Sequence, residues 1–142
     1  MKILIYGGSG YLGSFLVEKF INKNFKVTII SNKKKKINKL VTQKTLEDLI
    51  KEKKINYFDI MICTAGVDSS NKVIKSISKI NNIIIKDACK INNKLEIEKF
   101  IFLSSIHVLN IKKYYDNNNK KYLNYSKSKL ESEKYLIKNL LP

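Results

Sequence analysis

Along this chain short apolar runs alternate with longer stretches of helical periodicity. Compact apolar runs bounded by polar residues have the length of strands buried on both faces. They predict strands at 2–6, 26–31, about 37–41, 58–63 and 99–104. Apolar positions recurring near every 3.6 residues predict helices at 11–22, 44–54, about 72–91 and 124–140. The third strand has the thinnest support, in Ile37, Leu40 and Val41. Short strands with helices between and after them predict a parallel α/β sheet covered by helices on both faces. The polar stretch Lys112–Lys121, with Asn117–Asn119, reads as a loop at the carboxyl end of the fifth strand. In an open α/β sheet that edge is where ligands sit.

The first strand runs straight into Gly7-Gly8-Ser9-Gly10-Tyr11-Leu12-Gly13 and then into a helix. Four of the chain's five glycines lie in this turn. The order strand, glycines, helix is the one a dinucleotide pyrophosphate needs. Gly7 allows the tight turn, Gly10 the approach of the phosphates, and Gly13 the close packing of helix on strand. The free N–H groups and the helix dipole favour the anion. The helix itself reads as apolar along Leu12, Phe15, Leu16 and Phe20, with Glu18, Lys19 and Lys23 on its wet side.

Composition narrows the classes. A length of 142 residues suits one domain, taken as 1–142, with a real core. No apolar run reaches the roughly 18 residues of a membrane helix, and the N-terminus lacks the pattern of a signal peptide. The expected setting is cytoplasmic, without membrane insertion. Cys63 and Cys89 lie in apolar surroundings without ligand spacing, so they read as buried thiols, and no metal site is expected. The net charge of +16 comes from lysine alone, with no arginine in the chain. Arginine is the residue suited to bidentate phosphate and base recognition. The charge therefore reads as a solvated basic surface, and no specific nucleic-acid partner is expected.

Two further segments carry candidate chemistry. Ser104 and Ser105 follow the apolar run Phe100-Ile101-Phe102-Leu103. Tyr125 and Lys129 stand four apart in the last helix and share one face. A phenol with a pKa near 10 carries protons poorly at neutral pH. A lysine ammonium about 4 Å away favours the phenolate by about 4 kcal/mol at an effective dielectric of 20. Such a tyrosine can exchange a proton with a substrate oxygen while a hydride passes to or from a nicotinamide. Ser105 would hydrogen-bond the same oxygen. Read singly, the serines are also ordinary strand-end caps, and the Tyr/Lys spacing also arises by chance in a lysine-rich chain.

In order and context these segments resemble the short-chain dehydrogenase/reductase superfamily, in its extended branch of nucleotide-sugar epimerases, dehydratases and reductases. Gly7-x-x-Gly10-x-x-Gly13 resembles the glycine motif of that branch. Asp59–Gly66 resembles its fourth-strand segment, which implies that Thr64, Ala65 and Gly66 lie beside the adenosine and ribose. Phe102–Val108 resembles the strand with the catalytic serine, placed by distance from Val108 at Ser105. Tyr125-Ser126-Lys127-Ser128-Lys129-Leu130 resembles the active-site helix, with Tyr125 as acid/base and Lys129 as its partner and ribose ligand. The implied fold is a Rossmann-type doubly wound sheet of about five strands, order 3-2-1-4-5. The implied cofactor is NAD(P), held by Gly7 through Gly13 and by Ser31, Asn32 and Lys33 near the adenosine ribose. No carboxylate stands at Ser31, which tilts the expectation toward NADP.

The same resemblance implies hydride transfer at a hydroxyl or ketone of a nucleotide sugar. The acidic pair of the family's dehydratases is absent after Ser105, where Ile106 and His107 stand. That leaves an epimerase or a reductase. His107 reads as a packed or solvent-facing side chain, with pocket lining the alternative. The family's supporting asparagine falls on Asn81 or Asn82. The chain stops at Pro142, before the family's substrate-binding lobe, and so reads as truncated. The alternative to an enzyme is therefore a non-catalytic or fragmentary NAD(P)-binding module, needing a complementing subunit, a homodimer partner or the missing lobe.

Overall fold

In a computed structural model, residues 1–31, 38–53, 55–68 and 76–140 are described. Asn32, Lys33, the lysine run through Lys36 and Pro142 lie outside them. Five strands, β1 (Lys2–Tyr6), β2 (Lys26–Ile30), β3 (Val41–Lys44), β4 (Tyr57–Cys63) and β5 (Glu96–Phe102), form one parallel sheet of order β3-β2-β1-β4-β5. This is the Rossmann-type order implied by the sequence. The helices are α1 (Tyr11–Asn22), α2 (Leu46–Lys51), α3 (Ile77–Lys94), α4 (Ile111–Asp116) and α5 (Lys120–Leu140). The chain divides into two compact units, one of Met1–Ala65 with Lys90–Leu103 and one of Gly66–Cys89 with Ser104–Pro142.

The first unit holds the whole sheet. Ile3, Ile5, Val27, Ile29 and Ile62 bury one face of it against Val17 and Ile21 of α1. α1 is rotated from its expected setting. Its buried line is Gly13, Val17 and Ile21, at four-residue spacing, while Leu12 and Phe15 are exposed. The cause is Gly13, which must face inward for the close packing that its missing side chain permits, and so sets the helix's rotation. β1 to β2 steps one way across the sheet and β3 to β4 steps back the other way. Right-handed connections then place α1 and α2 on opposite faces. α2 opens with a capping box between Thr45 and Asp48 and buries Leu49.

The two edge strands depart from expectation. β3 lies at Val41–Lys44 rather than 37–41, and β5 starts at Glu96 and ends at Phe102, not at 99–104. An edge strand buries less, so polar residues such as Thr42, Gln43, Glu96 and Glu98 are tolerated and the apolar signal fades. Ser104 therefore stands two residues past its strand.

The second unit is helical. The expected loop Lys112–Lys121 contains α4 and the first turn of α5. The break between them is short. Asn118 sits at φ 50°, in the left-handed region. Asn119 then starts α5, its carbonyl accepting from Leu123 N and its side chain from Tyr122 N. α5 buries Ser126, Ser128, Lys129, Ser132 and Leu136. The three serines satisfy their hydroxyls on the helix's own carbonyls, of Tyr122, Tyr125 and Ser128. Among the described residues no helix is long and apolar enough to cross a membrane.

Candidate functional site

The glycine turn leaves β1 at its carboxyl end. Gly7 has φ +93°, and a Cβ there would lie 2.6 Å from Ala65 N. A Cβ on Gly13 would lie 2.2 Å from the carbonyl oxygen of Gly7, and one on Gly8 2.4 Å from Ile29 Cγ2. The chain's own packing thus requires glycine at these positions. Gly10 differs. Its backbone is ordinary extended chain, φ −76° and ψ 174°. A Cβ there would meet Gly7 O at 3.2 Å and nothing else within 4 Å among the described residues. The glycine at position 10 leaves space that no described residue fills. α1 starts here with no side-chain cap and no acidic residue in its first turn, an arrangement that suits an anion.

The first unit gathers the neighbouring predicted residues. Ser9 Oγ and Ser31 Oγ are 2.6 Å apart, which brings the expected ribose position to the glycine turn. Thr64 N and Ala65 N both donate to Tyr6 O at 2.9 Å, and Thr64 Oγ1 donates to it at 3.1 Å. The end of β4 is thereby tied to the end of β1. Tyr11 is 98% exposed and Leu12 is exposed beside it.

The second unit holds Gly66 and the proton-carrying candidates. Tyr125 is half-buried and Lys129, one turn on, is only 7% exposed. Lysine is seldom so deeply buried. The Cβ position of Gly66 lies 3.4 Å from Lys129 Nζ and 3.5 Å from Asn81 Oδ1. Asn81 is the residue that sequence reasoning left undecided against Asn82. Its Oδ1 accepts from Val67 N at 2.9 Å, while its Nδ2 donates to Val67 O at 3.1 Å and Ser128 Oγ at 3.0 Å. It pins the segment after β4 to α5. Asn82 points elsewhere, to Glu131. The signal was present in the sequence: Ile77, Asn81, Ile85 and Ala88 recur on one helical face, and all are buried.

Ser105 caps a 3-10 helix, Ile106–Asn110, by accepting from His107 N at 3.2 Å. The cap role is therefore real, yet it uses one acceptor lone pair and leaves the hydroxyl proton to donate. Ser104 instead donates to Glu133. His107 is packed, with Nδ1 2.5 Å from Tyr114 Oη and its ring against those of Tyr114, Tyr122 and Tyr125. Cys63 and Cys89 are buried free thiols, and burial raises the pKa of Cys89.

Comparison with known proteins finds counterparts for nearly the whole chain. A "Putative UDP-glucose 4-epimerase" of Methanocaldococcus jannaschii is 29% identical over 114 residues, covering 72% of this chain and 37% of that protein. The UDP-glucose 4-epimerase of Bifidobacterium longum, solved with NAD+ and UDP, superposes with TM-score 0.72 at 18% identity, covering 97% of this chain and 48% of that one. The UDP-N-acetylglucosamine 4-epimerase of Bacillus cereus superposes with TM-score 0.70 at 23% identity, covering 99% and 50%. The chain thus spans half or less of the length of these relatives. The two structural likenesses establish the fold. Residues 3–138 match the family model described as NAD dependent epimerase/dehydratase family, and the chain belongs to that family.

Proposed function

We propose that the chain serves an NAD(P)-dependent epimerase or reductase acting at a hydroxyl or ketone of a nucleotide sugar, with Tyr125 as acid/base. The observation that carries this reading is the burial of Lys129, one turn from Tyr125, with its Nζ 3.4 Å from the Cβ position of Gly66. A buried ammonium is costly unless it is paired and hydrogen-bonded, and ionisable groups held in this way cluster at functional sites. Here, one turn from Tyr125, the ammonium would hold a cofactor ribose and stand as the phenol's partner. Tyr125 takes the proton of the substrate hydroxyl and later returns it. Ser105 donates its hydroxyl proton to the same oxygen and orients it. The nicotinamide, when bound, supplies the acceptor and donor of hydride. Residues Gly7 to Gly13 hold the pyrophosphate, with Gly10 leaving the space and the α1 N-terminus the donors.

Ser31, with Asn32 and Lys33, reads as the adenosine-ribose contact, and the missing carboxylate favours NADP over NAD. Thr64, Ala65 and Gly66 flank the adenosine side. The substrate class follows the UDP-sugar epimerases to which the chain is similar. The test is turnover of UDP-glucose or UDP-N-acetylglucosamine with either dinucleotide, followed by Tyr125→Phe and Lys129→Met. Loss of at least 100-fold in kcat in both is expected, about the contribution of a positioned acid/base. Turnover that survives Tyr125→Phe refutes the mechanism.

One fact favours a second reading, a binding module completed by another subunit or a second copy: the chain spans half or less of its relatives' length. Tight dinucleotide binding without turnover, and turnover restored by adding the C-terminal half of a relative, would distinguish it.

A further inference from the structure

His107 is the chain's only histidine. It sits in the 3-10 helix Ile106–Asn110, and its half-buried ring meets tyrosines from two helices. The ring centroid lies 5.1 Å from Tyr122 at 33°, 5.5 Å from Tyr114 at 55°, and 6.0 Å from Tyr125 at 74°. Tyr114 stacks in turn on Tyr122, at 5.5 Å and 28°. Tyr122 and Tyr125 are three apart on α5, so their rings leave the helix on the same side. The imidazole touches both, inclined to Tyr122 and nearly perpendicular to Tyr125. Its rotation is held by the Tyr114 hydroxyl, 2.5 Å from Nδ1.

This cluster is more than packing filler. A ring in contact with two others restricts the rotation of both, and perpendicular contact is a preferred aromatic geometry. Only a side chain with a ring nitrogen can take the Tyr114 anchor as well. Leucine or phenylalanine would fill the space without it. The result is a fixed partner for the one tyrosine that has a proton to move.

We propose that His107 is a positioning residue for Tyr125, itself held by Tyr114 and Tyr122. The proposal rests on the reading of Tyr125 as acid/base. An acid/base displaced by about 1 Å loses on the order of 100-fold in rate. Loss of the imidazole should therefore lower kcat by roughly 10- to 100-fold. KM and dinucleotide affinity should stay within about two-fold, because His107 belongs to neither binding set.

The decisive readout needs no turnover. In the full chain with ring-13C tyrosine, the Tyr125 signals are identified by their loss in Tyr125→Phe. Tyr135, on the same helix and outside the cluster, serves as control. In His107→Ala the Tyr125 ring signals should shift and average between the two ring edges, while those of Tyr135 stay in place. His107→Phe should restore part of the shift, and Tyr114→Phe, which removes only the anchoring hydroxyl, should reproduce part of it. If His107→Ala does not fold, Tyr114→Phe carries the same readout. Unchanged Tyr125 signals overturn the proposal, as does movement of Tyr135 together with Tyr125, which marks a general disturbance. Turnover that survives Tyr125→Phe overturns the acid/base reading instead, and is recognised without any His107 variant.

Discussion

Replacing Gly10 and Gly13 separately by alanine divides the glycine turn into its structural and its ligand-facing parts. At Gly13 the new methyl would stand 2.2 Å from Gly7 O and 2.8 Å from Gly8 Cα, both backbone atoms of the same turn. Neither neighbour can swing aside, so helix and strand must move apart. Overpacking of this kind costs about 1–3 kcal/mol. For a chain of this size each kcal/mol lowers the melting temperature by about 4 °C, so Gly13→Ala should melt roughly 4–12 °C lower. At Gly10 the new methyl would meet Gly7 O at 3.2 Å, a contact relieved by a shift of a few tenths of an ångström. The φ of −76° suits alanine, and exchanging glycine for alanine at a helix N-cap costs under about 1 kcal/mol.

The methyl at Gly10 instead fills the space assigned to the pyrophosphate. Losing even one charge-assisted hydrogen bond from backbone N–H to phosphate removes about 1.5–3 kcal/mol, which is about 10- to 150-fold in Kd. Thermal unfolding followed by circular dichroism, with NADH and NADPH fluorescence titrations, measures both effects. The expected result is a crossed pair: Gly10→Ala stable and unable to bind, Gly13→Ala destabilised. Wild-type dinucleotide affinity in Gly10→Ala would refute the placement of the pyrophosphate at this turn.

Other consequences follow from the same geometry. Asn81→Ala leaves Val67 N–H, Val67 C=O and Ser128 Oγ without their partner; a loss of about 1–3 kcal/mol per orphaned group is expected in urea unfolding. Asn82→Ala, at an exposed contact to Glu131, should change stability by less than about 0.5 kcal/mol. Ser31→Asp places a carboxylate where a 2′-phosphate would sit, and should weaken NADPH at least about tenfold while sparing or improving NADH; equal loss of both would refute the ribose assignment. At the other end of the sheet, Tyr57 donates to Glu98 and Asp59, and Asp59 accepts from Lys2 N. The hydrogen bond to Glu98 leads in pushing the Tyr57 pKa up to about 12, and the one from Lys2 N lowers that of Asp59. A raised tyrosine pKa contributes stability that is complete below pH 10 and lost as pH rises from about 10 to 12. A lowered aspartate pKa contributes stability that is present above its ordinary value of 3.8 and lost as pH falls through the lowered one. Tyr57→Phe should flatten the alkaline limb of the stability profile and Asp59→Asn the acid limb, both read by urea midpoints against pH.

The central strands were legible because β1, β2 and β4 are paired on both sides and buried, which demands unbroken apolar runs such as Ile3-Leu4-Ile5. The edge strands were displaced by two to four residues at each end, because Thr42, Gln43, Glu96 and Glu98 read as loop until the pairing is known. α4 was missed for a related reason. Lys112, Lys113, Tyr115 and Asp116 are exposed, and the six-residue helix turns only Ile111 and Tyr114 inward, too few positions to announce a helical period. The rotation of α1 departs from the apolar pattern at Leu12 and Phe15, while Leu16 and Phe20 of the same pattern pack against the core. A helix packed closely through Gly13 turns that residue inward whatever its apolar neighbours prefer. Gly7, Gly8, Gly10, Gly13 and Ser31 were assembled at one turn as the sequence implied, whereas Asn32 and Lys33 fall outside the described residues.

The second unit shows where pattern reading fails for a chemical reason. A helix that buries three serines and a lysine contradicts the rule that apolar residues face inward. The serines resolve the conflict locally, each returning its hydroxyl to a carbonyl three or four residues back. Ser128 also accepts from Asn81, which in turn holds the segment after β4. Asn81, Val67 and Ser128 are therefore one connected set, and Lys129 Nζ lies by Gly66, the residue before Val67. Replacing a whole buried polar set by well-packed apolar residues is often neutral or stabilising, so stability alone does not call for this face. Retaining a lysine there, one turn from Tyr125, is explained if the face exists to hold an ammonium still. On that argument Lys129→Met, which keeps most of the stem and removes the ammonium, should lower turnover at least about 100-fold in protein that circular dichroism shows to be folded; a Lys129→Met chain that unfolds would instead make the lysine a structural member of the network.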